Sequence, residues 1–221
     1  MGSDARAISE AAPRPCHPKG QGPCCGPVLP QALFLVAAFV SGSFPTGVLL
    51  ARARGVDLRQ VGSGNVGASN VGRALGKKFG ILVLLVDAAK GAWPVLLGRG
   101  LWLSDWVLAA LALAAVLGHV FSIFLKGRGG KGVATALGAS LALTPLPALC
   151  AFGVFVLLYA AFRISSVGSL AGAVSFVGFL FAFGEAHPAT LAYGSLAALV
   201  IVLRHKDNLR RLARGEELKA P

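Results

Sequence analysis

The stretch RQVGSGNVGASNVGRALGKK, from Arg59 to Lys78, sets small polar side chains among glycines, carries four basic residues and holds no carboxylate. Glycine lets backbone N–H groups converge on an anion, because it tolerates φ > 0 and allows close approach. Gly62, Gly64 and Gly67 alternate here with Ser63, Asn65, Ser69 and Asn70, whose side chains can donate hydrogen bonds. Arg73 follows, able to grip a phosphate with two parallel bonds. A flexible positively charged connector would explain the arginines but not the run of small donors.

A second cluster, KGRGGKG over Lys126 to Gly132, fails as a Walker A loop, because Lys131 is followed by Gly132 and Val133. It opens a helix at Val133, where N-terminal amides and the helix dipole favour an anion. Lys131, beside Gly129 and Gly130, would add a mobile charge; a plain basic turn is the competing reading. SSVGS offers Ser165, Ser166 and Ser169 at another helix start, where capping alone would explain one of them. RHKDN sets His205 and Asn208 one turn apart on a helix face. Asp87 and Lys90, three apart in an apolar run, read as a buried structural ion pair. His119 reads as a packed, hydrogen-bonded side chain.

The elements that must position these groups are membrane helices. Of the 221 residues, 55% are hydrophobic and only 14% charged, and the mean hydropathy is +0.71. A soluble domain carries roughly 25% charged residues, and several apolar runs reach or approach the ~20 needed to cross a bilayer. The fold class is therefore an all-α polytopic integral membrane protein of about seven helices, some short. The expected spans are residues 31–51, kinked at Pro45, then 79–98, 106–125, 133–144, 148–162, 170–184 and a last one ending near Leu203. Five spans would serve if the short pairs are re-entrant.

Seven spans gather most of the 21 Lys and Arg on one side, in 52–78, 126–132, 163–169 and the tail from Arg204, with Arg99 alone on the opposite connections. The positive-inside rule makes that side cytoplasmic. It also accounts for the net charge of +12 without nucleic acid as a partner. Residues 1–30 read as a disordered Pro/Gly/Cys-rich extension, 31–205 as the transmembrane domain and 206–221 as a basic cytoplasmic tail. Cys16, His17, Cys24 and Cys25 in the extension make only a weak metal-site pattern. No metal constellation and no cofactor motif is apparent elsewhere.

Four segments able to hold phosphate on one membrane face indicate a phosphorylated substrate handled at the interface. A phosphoester transporter and a non-catalytic binder of anionic lipid head groups are the competing classes. The first lacks matching internal halves, and the second has no need of four shaped donor loops.

SGSFPTGVLL, DLRQVGSGNVGASNVGRALGKKFG, LVDAAKG, LGHVFSIFLKGRGGKGVATALG and RHKDNLRRLARGEE occur in that order. Together they resemble the bacterial acyl-phosphate:glycerol-3-phosphate acyltransferase family of PlsY type over roughly Ala32 to Glu217. The resemblance implies a seven-helix inner-membrane enzyme with a cytosolic active site, making lysophosphatidic acid and phosphate in the first step of phospholipid synthesis. It implies that Ser63, Gly64 and Asn65 belong to a phosphate-binding loop and that Arg73 holds a substrate phosphate. Lys131 becomes the lysine of the GGKG loop and His205 with Asn208 the HxxN pair. Ser166 matches the serine before the sixth span, with Ser165 beside it as the alternative register. Arg128 stands where many relatives carry lysine, and Ser69 replaces a threonine. Catalysis is expected to rest on Ser63, Arg73, Lys131, His205 and Asn208, and substrate binding on Gly62, Gly64, Asn65, Asn70, Gly129, Gly130 and Ser166. Expected partners are acyl phosphate, glycerol 3-phosphate, membrane lipids and the enzyme that makes the acyl phosphate, with the chain itself a monomer. The sequence has no GxSxG nucleophile and no HxxxxD pair, so direct attack on an already activated acyl group, without a covalent acyl-enzyme, is expected.

Overall fold

Leu-, Ala- and Val-rich runs of about 20 residues satisfy their own backbone in lipid as helices, and the computed structural model is helical wherever the apolar runs lie. It describes residues 28–219, so the leader cysteines lie outside the described residues. The elements are α1 (Val28–Ser43), α2 (Thr46–Arg52), α3 (Ala68–Leu75), α4 (Lys77–Gly100), α5 (Asp105–Val120), α6 (Val133–Leu143), α7 (Pro145–Phe162), α8 (Ser165–Ala182), α9 (Pro188–Arg204) and α10 (Lys206–Ala213). Among the described residues there is no strand. Five segments are long and apolar enough to cross a membrane: 30–52, 77–100, 105–125, 145–162 and 165–182. Helix α9 makes a sixth if it is joined to α10, from which it bends by 57°.

The expected kink at Pro45 is a full break between α1 and α2. The carbonyls it frees find donors inside the layer, as lipid requires. Lys90 Nζ donates to Phe44 O, and the Ser122 hydroxyl donates to Ser43 O. Helix α1 begins at Val28, ahead of the expected boundary; Pro30 fits its first turn, where no intrahelical N–H is needed. Helix α8 begins at Ser165 rather than near Leu170, because Ser169 Oγ donates back to Ser165 O and folds SSVGS into the first turn. With 11 residues, α6 rises only about 16 Å, half the hydrocarbon layer. Its last carbonyl, Leu143 O, is capped by the Arg99 guanidinium.

Helices meet through glycines in reciprocal pairs. A methyl on Gly42 would sit 2.1 Å from Ala115 O, and one on Gly118 2.1 Å from Phe39 O, locking α1 to α5. Helices α4 and α6 are locked the same way, through Gly91 against Thr135 O and Gly138 against Ala88 O, each at 1.9 Å. Small residues supply this close packing where the hydrophobic effect gives no drive between helices. Gly138→Ala is expected to force α4 and α6 apart and cost about 1–3 kcal/mol, seen as a lower unfolding temperature in detergent.

Candidate active site

The positions of the four segments follow from how the helices end. After α5 the chain makes one 3₁₀ turn at Ile123–Leu125 and folds back: Gly129 N–H donates to Val120 O and Gly130 N–H to His119 O, both at 3.0 Å. The glycine loop thereby caps the end of α5 before α6 begins. Those two amides are therefore not available to a ligand, against the expectation that the loop binds through them. What the loop demands of both residues is room. A methyl on Gly129 would lie 2.0 Å from His119 O, and one on Gly130 2.2 Å from His119 Nε2. Arg204 Nη2 donates to Gly129 O at 3.3 Å and braces the loop from α9.

The first segment forms a tight loop with Gly62 and Gly64 at φ +58° and +67°. Asn70, 1% exposed, is its pin. Its amide donates to Leu58 O and Val61 O at 3.1 and 2.9 Å, while its oxygen accepts Ser63 N–H at 2.9 Å. Grouped by sequence with the substrate donors, Asn70 has both amide hydrogens engaged within the loop. Asn65 Oδ1 accepts Gly67 N–H at 2.9 Å and sets the start of α3, from which Arg73 projects.

One polar cavity collects these pieces. Ser63, Asn65, Asn70, Arg73, Lys131, Ser165, Ser169, His205 and Asn208 line it. Gly62, Gly64, Gly129 and Gly130 shape the loops behind it without lining it. Four helices begin at its wall, through Gly67–Ser69 of α3, Gly132–Ala134 of α6, Ser165 of α8 and His205 of α10. Their aligned amides favour negative charge without any ionisable group. Burial, and then the nearby Arg211 and Arg73, outweigh Glu217 and pull the Lys131 ammonium down to about 8. Lys131 Nζ donates to Asn208 Oδ1. Burial also lowers Arg73, with Glu217 partly countering it.

Sequence reasoning missed Glu217. Gly215, at φ +70°, turns the chain after α10 and returns this carboxylate to the cavity. Ser166 Oγ donates to Glu217 Oε1 at 2.8 Å, Asn208 Nδ2 to the same oxygen and Arg211 Nε to Oε2 at 2.7 Å. Ser166 thus joins the site through Glu217, while Ser165 faces the cavity itself. Burial alone would raise the Glu217 carboxyl; the three hydrogen bonds outweigh it and hold the group below the usual carboxylate range. The next two residues cover Arg73, whose Nη2 donates to Leu218 O at 3.1 Å and Nε to Lys219 O at 3.4 Å.

His205 sits at the bend between α9 and α10, 2% exposed. Its Nδ1 lies 2.8 Å from Ile201 O, which places the proton there and leaves Nε2 as an acceptor. Burial, then the charge of Lys131, push it down to about 4, so it is neutral at pH 7. The cavity continues into a second, apolar one between α6, α7, α8 and α9. The two share Leu84, Val133, Ala134, Phe155 and Ser169. Behind two of the apolar cavity's lining residues, Tyr193 donates to Ala136 O at 3.0 Å and meets Ser140 at 3.2 Å. The arrangement can hold a compact anion beside a neutral base at the mouth of an apolar channel.

If Lys131 holds a ligand phosphate, as the sequence leads one to expect, it does so as the ammonium, a form that burial makes it lose as pH rises through about 8. Anion affinity is expected to fall above that pH, and Lys131→Arg to move the limit upward; a pH titration of kcat/KM checks this.

Residues 32–215 match the profile of the family described as glycerol-3-phosphate acyltransferase. A glycerol-3-phosphate acyltransferase of Anaeromyxobacter sp. (strain Fw109-5) is 52% identical over 194 residues, covering 84% of this chain and 94% of that one. That of Geobacter sulfurreducens is 45% identical over 190 residues, covering 86% and 97%. The crystal structure of PlsY (YgiH), an integral membrane glycerol 3-phosphate acyltransferase in its glycerol 3-phosphate form, superposes with a TM-score of 0.84 at 40% identity, covering 87% of this chain and 96% of that one. Its lysophosphatidic acid form gives 0.80 at 39%. With several apolar helices around a polar cavity and this likeness over most of its length, the chain belongs to the glycerol-3-phosphate acyltransferase family of integral membrane enzymes.

Proposed function

We propose that this acyltransferase moves a fatty acyl group from acyl phosphate to the sn-1 hydroxyl of glycerol 3-phosphate, without a covalent acyl-enzyme. The observation that carries this reading is the polar cavity itself, where four helix starts, Arg73 and Lys131 meet the mouth of the apolar channel. Arg73 and Lys131 hold the glycerol 3-phosphate, and Ser63, Asn65 and the amides of α3 and α6 hold the acyl phosphate head. The acyl chain lies in the apolar channel. The hydroxyl oxygen attacks the acyl carbonyl carbon, the bond from that carbon to the phosphate oxygen breaks, and inorganic phosphate leaves with its electron pair. The hydroxyl proton goes to His205 Nε2 or to the departing phosphate. The leaving group is already activated, so positioning and charge stabilisation suffice, and no serine or cysteine nucleophile is needed.

Most Lys and Arg lie on the face of these loops, so the positive-inside rule turns the cavity to the cytoplasm of a bacterial inner membrane. Support for glycerol 3-phosphate as acceptor comes from the PlsY crystal form named for it. The test is phosphate release by purified protein given acyl phosphate with and without glycerol 3-phosphate. Release that requires glycerol 3-phosphate, with lysophosphatidic acid formed, supports the reading. Release independent of glycerol 3-phosphate, or labelled acyl-enzyme trapped on donor alone, overturns it. His205→Ala separates the two proton acceptors: a fall in kcat of about 10²-fold with KM little changed assigns the base to His205, and intact turnover assigns it to the departing phosphate.

A further inference from the structure

A buried polar group behind the site has no part in the scheme above. Asp87 on α4, Lys90 one turn on and His119 near the end of α5 are 3%, 7% and 9% exposed. Asp87 Oδ1 meets Lys90 Nζ at 2.6 Å, and Asp87 Oδ2 faces His119 Nδ1 at 4.0 Å. A charge pair at this depth is costly, and burying one is weak evidence for stability. The reciprocal glycines lock α5 to α1 and α4 to α6, so α4 and α5 each have a close-packed partner other than the one this group bridges.

Both Asp87 and His119 reach the polar cavity. The His119 ring lies directly under Gly130: its Nε2, Cδ2 and Cε1 are the three nearest atoms that a methyl there would meet, at 2.2, 3.0 and 3.2 Å. The His119 carbonyl accepts Gly130 N–H. The same histidine thus fixes the loop by backbone and by ring, one residue before Lys131. Lys90, bonded to Asp87 and to Phe44 O, anchors this support to the break between α1 and α2.

We propose that Asp87 and His119 are positioning residues: Asp87 orients the His119 ring, the ring sets the height of Gly130, and Gly130 sets where the Lys131 ammonium enters the cavity. This rests on the reading that Lys131 holds a substrate phosphate. The groups facing Lys131 are Arg73 from α3, His205, Asp207 and Arg211 at and beyond the α9–α10 bend, and Glu217 from the tail. None of them belongs to the Asp87–His119 pair.

The test uses the full chain in detergent or lipid, with Asp87→Asn, His119→Ala, Gly130→Ala and Lys131→Ala. Asp87→Asn and His119→Ala are expected to raise KM for glycerol 3-phosphate by about 10- to 100-fold, more than they lower kcat. They are also expected to shift the alkaline limit of kcat/KM, because a sagging loop changes how deeply Lys131 is buried. Gly130→Ala is expected to raise KM through collision with the ring, and His119→Ala added to it to recover part of that loss. Variants with unchanged KM, an unchanged alkaline limit and only a lower unfolding temperature would leave Asp87–Lys90 as a structural ion pair and overturn the proposal. Should His119→Ala not fold, the near-isosteric Asp87→Asn and the wild-type background of Gly130→Ala carry the same readouts. If Lys131→Ala itself leaves KM unchanged, the reading of Lys131 fails instead, and the two failures are told apart.

Discussion

Arg73→Ala is expected to lower kcat/KM for glycerol 3-phosphate by about 10²- to 10³-fold, the loss that follows removal of one charge-stabilising donor from a preorganised site. The fold should survive. Arg73 is partly exposed, and its hydrogen bonds go to the carbonyls of Leu218 and Lys219, which water can satisfy. Arg73→Lys is expected to recover little, because an ammonium cannot present the planar pair of donors that a phosphate accepts. Measuring glycerol 3-phosphate-dependent phosphate release alongside the unfolding temperature checks both halves. A loss below about threefold would move the acceptor phosphate away from Arg73.

Glu217→Ala carries the second large effect, and two forces oppose each other in it. Coulomb's law alone says that deleting a carboxylate from an anion site should tighten substrate binding. Geometry says the reverse: Ser166, Asn208 and Arg211 all donate to this carboxylate, and Asn208 in turn accepts from Lys131. Removing it leaves several donors unanswered in a mostly buried place, at about 2 kcal/mol or more for a charged acceptor. Geometry is expected to win, with activity down about 10²-fold and a lower unfolding temperature. Glu217→Gln should fall between, since its oxygen can still accept while its NH₂ opposes Arg211. Because the folded carboxyl titrates below its ordinary 4.5, its contribution is complete above that pH. It is lost as pH falls through the lower folded value.

The helices were legible because such apolar runs are long enough to cross lipid as helices, and the segments that meet at the polar cavity because Arg73, Lys131, Ser166, His205 and Asn208 stand in polar clusters where apolar runs stop. What the clusters do internally was not legible. Asn70 looks like Asn65 in sequence, yet its amide closes the loop through Leu58 and Val61. Gly129 and Gly130 look like donors, yet the chain reverses and they cap α5. Glu217 lies in RGEELKAP, which reads as solvated tail. Its only local signal is Gly215 ahead of it, and a turn shows where a chain bends without showing what it returns to. Periodicity also placed α8 five residues late, because SSVGS is polar by composition while its serines bond back along the helix.

One consequence follows from the wall that the polar and apolar cavities share. On the proposed reading, one reactant arrives through water in three dimensions and the other slides within the leaflet in two. The concentration that matters for the lipid reactant is then its mole fraction among its neighbours, whatever the volume of the sample, so adding inert detergent or lipid should slow the enzyme at constant total donor. Each turnover also adds an amphiphile to the layer from which the donor is drawn. The growing membrane therefore dilutes the supply of its own precursor, and the rate of synthesis is tied to surface area without any regulatory site.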